Sequence, residues 1–546
     1  MDPSRRHFLT STGLTLTVAL SASMVPIFSW SNDEYATNSI DSNGGGVVEY
    51  LSWITLENTG EVIITLGKTE LGQGIHTSLG MVIADEMDAD WQQVSLKMGL
   101  AQKQFFDLHE NEQSTIASSS IRHLYAGLRK AGAAMKAMLV QAAAHQWQIP
   151  PAFCQGQLHQ IVNVKNGDIN YGKTLGYGEL VQYASQQPLP CCDDIILKQP
   201  SDFRYIGTSV PRDDLEQKLV GNAEFGFDIF IDDMLYAQVL RPPRFGAKLL
   251  SYNKTVAFEI PNQSLAVCAA SLYEVFNAVK QTNAIWDQGT EPDLNNQTLQ
   301  AQLTTAYQQD KSWVTHLQWG DMSKLSAETQ RSFMTPYYHH ATLETPTCVA
   351  YVQDHLCEIW APTQIQTRNL ISAMKITGLP EAKIKLNTTY VGGGFGRKSY
   401  GDFVDEAIVI SNILRCPIKL FWSREDDIRH GIYLSSSMAK VNAQLDRKKQ
   451  KIAHWQHQIA VDPILWDNGQ KDIHATMEGI FAAPPNEQNT FLYQVENFSV
   501  RYCHTNRHVP IGYFRGVGYI HNVFAVETVI DELAYEHTYL HTLTKI

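Results

Sequence analysis

The sequence has 546 residues and is poor in several things, each of which closes off a class of protein. It contains no Cys-x-x-Cys. Its eight cysteines are Cys154, Cys191, Cys192, Cys268, Cys348, Cys357, Cys416 and Cys503, and the one close pair is the vicinal Cys191-Cys192. Zinc and iron–sulfur sites need several thiolates converging on one metal, so neither is expected in this chain. The cysteines are also too sparse for a disulfide scaffold, which leaves buried small hydrophobes as their expected role. A basic surplus is missing as well: 43 Lys and Arg stand against 56 Asp and Glu, a net charge of −13. A nucleic-acid binder needs a basic face for phosphates, so that class is set aside. With 44% hydrophobic and 18% charged residues, the composition is that of a globular chain without low-complexity bias. Its length implies three or four domains.

Long apolar runs are scarce too. The nearest, Leu14 to Val25, is broken by Thr15, Thr17, Ser21 and Ser23, and falls short of the ~20 apolar residues a membrane span requires. Arg5-Arg6 stands just ahead of it, before Phe8-Leu9. That pairing is the address of the twin-arginine export route, which carries folded and often cofactor-loaded proteins. Residues 1–30 are therefore expected to be a leader cleaved near Ser21 to Ser23, with an uncleaved anchor as the alternative. The expected compartment is the periplasm. Residues 31–46 are polar, end in Gly44-Gly45-Gly46, and suit a flexible linker.

What is present reads as mixed strands and helices of the α+β class. Tyr50 to Leu56 and Glu61 to Leu66, split by Asn58-Thr59-Gly60, predict a hairpin. An Ala-rich stretch from Ile121 to His145 predicts a long helix, with the preceding serines as its cap. Leu272 to Thr282, Thr367 to Gly378 and Phe403 to Leu414 read as helices. Val349 to Trp360 and Lys383 to Tyr390 read as strands.

Four segments could carry chemistry. Gly392-Gly393-Gly394-Phe395-Gly396-Arg397-Lys398-Ser399 fails as a P-loop, because Arg397 stands where Gly must precede Lys, and fails the dinucleotide spacing as well. It still offers bare backbone to a ligand, with Arg397 and Lys398 as neutralising cations. Thr69-Glu70-Leu71-Gly72-Gln73-Gly74-Ile75-His76-Thr77 exposes an amide between glycines. Ala361-Pro362-Thr363-Gln364 places another at a strand end, and Tyr513-Phe514-Arg515-Gly516-Val517-Gly518 sets one Arg beside an aromatic. Each is weak alone. A zinc reading of Glu536-His537 and His541 lacks the His-Glu-x-x-His order.

Together these segments resemble the molybdopterin-binding subunits of the xanthine dehydrogenase and aldehyde oxidase family. Lys218-Leu219-Val220-Gly221-Asn222-Ala223 and Leu235-Tyr236-Ala237 look like the start of that family's α/β hammerhead domain. The Gly-Gln-Gly segment precedes the hammerhead here, an order resembling the beta subunits of exported isoquinoline oxidoreductases and their aldehyde dehydrogenase relatives. The resemblance implies a split molybdopterin-binding domain, residues 47–215 and 326–546, with the hammerhead inserted at 216–325. It implies a molybdenum–molybdopterin cytosine dinucleotide, the metal held by the pterin dithiolene and not by protein side chains. Oxidation of an N-heteroaromatic or aldehyde substrate would follow, with water as oxygen source. Gln364, Phe395 and Arg515 would serve the reaction. Gly72, Gln73, Gly74, Ser118, Ser120, Gly393, Gly394, Phe395, Gly396 and Arg515 would hold the cofactor. Electrons would leave through a small [2Fe-2S] iron–sulfur subunit, with a cytochrome c beyond it.

The pattern is departed from at Val517, where a purine-stacking Phe would stand. It is departed from again late in the chain. The family's general base is a Glu after a Gly beyond the Phe-Arg-Gly motif, and the only Gly-Glu pairs here are Gly60-Glu61 and Gly178-Glu179. Neither context suits the role. The expectation is a C-terminally truncated chain without that Glu, with an inactive remnant as the alternative to an active subunit.

Overall fold

The structure is a computed structural model describing residues 15–17, 50–190, 195–309, 313–326, 328–446, 448–449, 451–465, 471–472, 477, 480, 491–505 and 509–536. Cys191-Cys192, the twin-arginine pair, the linker and His537 to His541 lie outside the described residues. Among those described, the chain forms two compact units, one from 1–235, 346–393 and 398–421, the other from 236–345, 394–397 and 422–546. Helices and strands alternate irregularly in both, which is the α+β class.

In the first unit the expected hairpin forms from Ile54–Glu57 and Val62–Leu66, pairing Ile54 with Ile64 and Leu56 with Val62. Alternate residues of Val62–Leu66 are buried, as a strand half-covered by helices requires. Val94–Met98 adds in parallel to one side, and Thr15–Thr17, inside the expected leader, pairs with Ile54–Glu57 on the other. The helix Ile75–Met87 packs on this sheet, and Ser119–Trp147 packs on that helix. They approach closely because a Cβ at Gly132 would stand 2.7 Å from the Ile83 carbonyl. Ala131, Ala134, Ala142 and Ala143 line the same core.

The stretch Val349 to Trp360, expected as one strand, is two. Thr347–Val352 and Cys357–Ala361 pair antiparallel, and the chain reverses between Gln353 and Leu356. The polar Asp354-His355 forms the turn that an unbroken apolar reading passed over. Cys357–Ala361 then pairs in parallel with Ile384–Thr388 through the helix Gln366–Thr377, a right-sized crossover.

The second unit is built on a five-stranded sheet in the order Val314–Trp319, Val495–His504, Lys451–Val461, Ser437–Asp446, Thr329–Thr335. The helix Tyr519–Glu536 covers it, packing Val526, Val529, Ile530 and Leu533 with Trp455, Ile459, Phe498 and Val500. Leu235–Leu240 pairs antiparallel with Ser264–Ala269 beside the helix Leu272–Gln281, which Ser271 caps by accepting from the Glu274 N–H.

Cys154, Cys348, Cys357 and Cys503 are buried thiols, and Cys268 and Cys416 are half-buried. Burial raises the Cys154 thiol to about 11 and Cys357 to about 12, so both stay protonated and inert. No helix among the described residues is long and apolar enough to cross a membrane.

Candidate functional site

The Gly-Gln-Gly segment forms the entry to the Ile75–Met87 helix. Gly72 and Gly74 take φ of +96° and +79°, a region open to glycine at little steric cost. A Cβ at Gly72 would meet nothing within 4 Å, so the loop is bare on that side. The Gln73 side chain was expected to reach outward. Instead its amide closes on its own loop: Nε2 donates to the Thr69 carbonyl at 3.0 Å and Oε1 accepts from the Leu71 N–H at 2.5 Å. The exposed surface of this loop is therefore backbone and the flank of Gln73.

Beneath it lies a buried polar network. Lys68 Nζ donates to Asp107 at 2.8 Å and to the Ser114 carbonyl at 2.9 Å, and both members of the ion pair are almost wholly buried. Desolvation opposes ionising the Asp107 carboxyl, but the Lys68 ammonium outweighs it and holds the group below the usual carboxylate range. His76 Nε2 meets the Lys68 carbonyl at 2.7 Å, and burial keeps that imidazole below its ordinary value.

The same network reaches Gln364. The Thr69 hydroxyl donates to the Thr363 carbonyl at 2.9 Å, and Gln366 Nε2 donates to that hydroxyl at 2.7 Å. Gln364 exchanges bonds with Thr115: its carbonyl accepts the Thr115 N–H at 2.8 Å, and its Nε2 donates to the Thr115 carbonyl at 2.9 Å. The Gln364 N–H donates to the Lys398 carbonyl, and the Val391 N–H to the Glu70 carbonyl. Gly72, Gln73, Gly74, Gln364 and Gly393 are thus joined within the first unit by short polar links. Ser118 and Ser120 stand a few residues beyond Thr115, at the start of the Ser119–Trp147 helix.

Ser118 does not cap that helix. Its φ is +53° and its side chain makes no cap bond, while Ser119 Oγ donates to the Ile116 carbonyl at 2.9 Å. The left-handed turn over Ala117 and Ser118 points the hydroxyl away from the first-turn N–H groups.

In the second unit, Phe395 is left-handed at φ +56° and its ring is partly exposed. Its carbonyl accepts the Arg515 N–H at 2.7 Å. At Gly396 a Cβ would stand 2.1 Å from the Tyr513 carbonyl, so only glycine permits the two loops to lie this close. His340 completes the clamp, with Nδ1 2.9 Å from the Ile432 carbonyl and Nε2 2.9 Å from that of Tyr513. Burial, aided by the Arg397 charge, holds this imidazole down to about 4. A neutral ring donates to only one of the two carbonyls.

Arg397 and Lys398, expected to face an anionic ligand, do not. Both are fully buried. Arg397 stacks over Trp422 with its Nε 3.7 Å from Asp427, and Lys398 lies over the Phe403 ring. Arg515 is the contrasting case: it is exposed and makes no ion pair among the described residues. The two Gly-Glu pairs also have ordinary duties. Glu61 accepts from Ser95 Oγ, and Glu179 accepts from the Gly176 N–H at 2.7 Å to cap a helix.

Several buried polar atoms around Gln364 and Thr115 have no hydrogen-bond partner among the described residues: Gln113 Nε2, Ser114 Oγ and Gln366 Oε1. Unpaired donors and acceptors of this kind are costly, and they mark where a polar ligand or water completes the set. With the bare flank of Gly72, they fit a polar cofactor. Two domain families, each described as a molybdopterin cofactor-binding domain, match residues 13–204 and 306–539. The chain belongs to the molybdopterin-binding family of molybdenum oxidoreductases.

Curated relatives are oxidoreductases by name. The chain is similar to the beta chain of isoquinoline 1-oxidoreductase from Brevundimonas diminuta, at 26% identity over 97% of this chain and 73% of that one. It is similar to a nicotinate dehydrogenase component of Pseudomonas putida, at 25% identity over 89% of this chain and 42% of the relative. A third is the membrane-bound aldehyde dehydrogenase [pyrroloquinoline-quinone] of Gluconacetobacter polyoxogenes, at 26% identity over 90% and 66%. The chain therefore spans between about two fifths and three quarters of the length of these relatives. Glu70, Arg212 and His340, which organise the loops, escaped the sequence reading. An acidic residue close ahead of a helix start was the available signal for Glu70.

Proposed function

We propose that this chain is the cofactor-binding catalytic subunit of an exported molybdenum hydroxylase or dehydrogenase that oxidises an N-heteroaromatic or an aldehyde, with water supplying the oxygen. The observation that carries this reading is the match of both ends of the chain to molybdopterin cofactor-binding domains. The names of these relatives supply the substrate classes. Residues 216–325 would be the inserted hammerhead domain. The bound molybdenum cofactor, proposed to be the cytosine dinucleotide, supplies the two-electron redox chemistry. The Gly72-Gln73-Gly74 loop, Ser120 and the unpaired atoms of Gln113, Ser114 and Gln366 would hold its polar groups. Gln364, anchored to Thr115, would fix an amide near the reacting centre. Phe395, held in its left-handed turn, would shield one side from water. Arg515 would set a fixed positive charge beside developing negative charge. An iron–sulfur subunit and a cytochrome c would carry electrons onward, since the described residues hold no cysteine cluster for a relay. Export rests on Arg5-Arg6 ahead of Phe8-Leu9.

The test is expression in a molybdopterin-producing host together with the neighbouring small subunit, followed by fractionation. The periplasmic protein should carry about one molybdenum and one pterin per chain, and should reduce a dye with isoquinoline-like or aldehyde substrates. Protein lacking both metal and pterin would overturn the reading. Holoprotein confined to the cytoplasm would overturn the export component alone.

A further inference from the structure

We propose that Glu70 is the positioning residue of the Gly72-Gln73-Gly74 loop, a built-in anion at the head of the Ile75–Met87 helix that Arg212 holds in place. The role assigned to the loop rests on the cofactor-binding reading; the role of Glu70 in shaping it does not. A helix start leaves N–H groups without intrahelical partners. This one has Gly74 at its cap, no side-chain cap and no acidic residue in its first turn. Glu70 supplies what is missing from outside the helix. Its Oε1 accepts the N–H groups of Gly72 and Gly74, each at 2.9 Å, and its Oε2 accepts that of His76 at 3.2 Å.

The carboxylate is 1% exposed, a placement that needs several compensating donors. The fourth comes from Arg212, distant in sequence, whose Nη2 lies 3.3 Å from Oε1. The same guanidinium donates through Nη1 to the Gly72 carbonyl at 2.9 Å, and through Nε and Nη2 to Asp214 at 2.9 and 2.7 Å. Asp214 is held down to about 2 against its own desolvation by Arg212 and Lys218, so the anchor for Arg212 is charged at any working pH.

Two consequences follow for ligand binding. The N–H groups of Gly72, Gly74 and His76 already serve Glu70, so the loop presents its open flank and Gln73 to a ligand, and not an empty anion hole. The Glu70 carbonyl also accepts the Val391 N–H at 3.2 Å. One residue therefore ties the Gly-Gln-Gly loop to the chain entering the glycine cluster.

Hydrogen exchange of the 71–77 segment in the full chain tests this, alongside molybdenum and pterin content. In Glu70→Ala the amides of Gly72, Gly74 and His76 should exchange at least roughly tenfold faster, with cofactor content falling in parallel. Added formate should restore protection, and neutral formamide should not. Arg212 is partly exposed, so Arg212→Ala and Arg212→Lys serve as variants less prone to misfold. Arg212→Ala should accelerate the same three amides, and Arg212→Lys should recover part of the protection. Unchanged exchange in Arg212→Ala, or equal rescue of Glu70→Ala by formate and formamide, would overturn the proposal. Should Glu70→Ala be insoluble, the Arg212 pair decides alone. A parent protein without molybdenum or pterin refutes the cofactor reading, and the exchange comparison still decides the part played by Glu70.

Discussion

Phe395 and Gly396 show how narrow the tolerance is at single positions. Both take positive φ, and at Gly396 any Cβ would also meet the Tyr513 carbonyl. Gly72 has the same backbone sign and empty space around it. The two glycines should therefore behave differently. Gly72→Ala should cost about 1–2 kcal/mol, the strain of a left-handed alanine. Gly396→Ala should cost more than that, because a backbone oxygen cannot rotate aside as a flexible side chain can. Urea unfolding of the two variants checks the ranking, and equal losses would show that the loops part easily. At this scale the sequence misjudged where some side chains point. Arg397 and Lys398 read as ligand-facing cations, yet each is turned into the protein, over Trp422 and Phe403. Nothing in a Gly-Arg-Lys string specifies direction.

Among the elements, the predicted helices form within a residue or two of their expected ends, because apolar spacing and breakers are local signals. The caps and turns were less legible. Ser118 has the right residue type for a cap and the wrong backbone angle, and Asp354-His355 makes a tight turn inside a stretch of strand formers. Gly132 shows tertiary packing overruling propensity. In an isolated helix, Gly→Ala is stabilising by about 1 kcal/mol. Within Ser119–Trp147 the added methyl would press on the Ile83 backbone oxygen at 2.7 Å. Gly132→Ala should therefore lower the midpoint of thermal unfolding despite its helix-forming gain. A rise would mean the two helices can separate at little cost.

For the whole molecule, pH stability is set by rings buried without charge. Burial lowers His457 to about 3, helped by His521, and lowers His340 to about 4. Unfolded, each ring has an ordinary value near 6.5 and takes up a proton below it. The stabilisation each gives is complete above about pH 6.5 and is lost as pH falls toward the folded values. Each should contribute a slope of about 1.4 kcal/mol per pH unit between roughly pH 6 and 4. Asp427 is depressed in the opposite chemical sense: desolvation opposes its charge, but His339, Arg397 and Arg424 outweigh that effect. Its contribution is full above the ordinary carboxylate value and disappears only as pH falls below it. Urea unfolding at a series of pH values should show stability falling between pH 6.5 and 4. His457→Leu should make that fall shallower by about one proton. An unchanged slope would show that His457 is not the group responsible.

The family, the α+β class and the helices were legible in the sequence, because apolar periodicity and glycine, aromatic and amide residues at fixed spacings have local physical meaning. The inward turn of Arg397, the closure of Gln73 on its own loop, the clamp of His340 on Tyr513 and the anion supplied by Glu70 were decided only by the tertiary structure. Each depends on a partner far along the chain or on a side-chain direction, and burial fixes both only when the chain is folded.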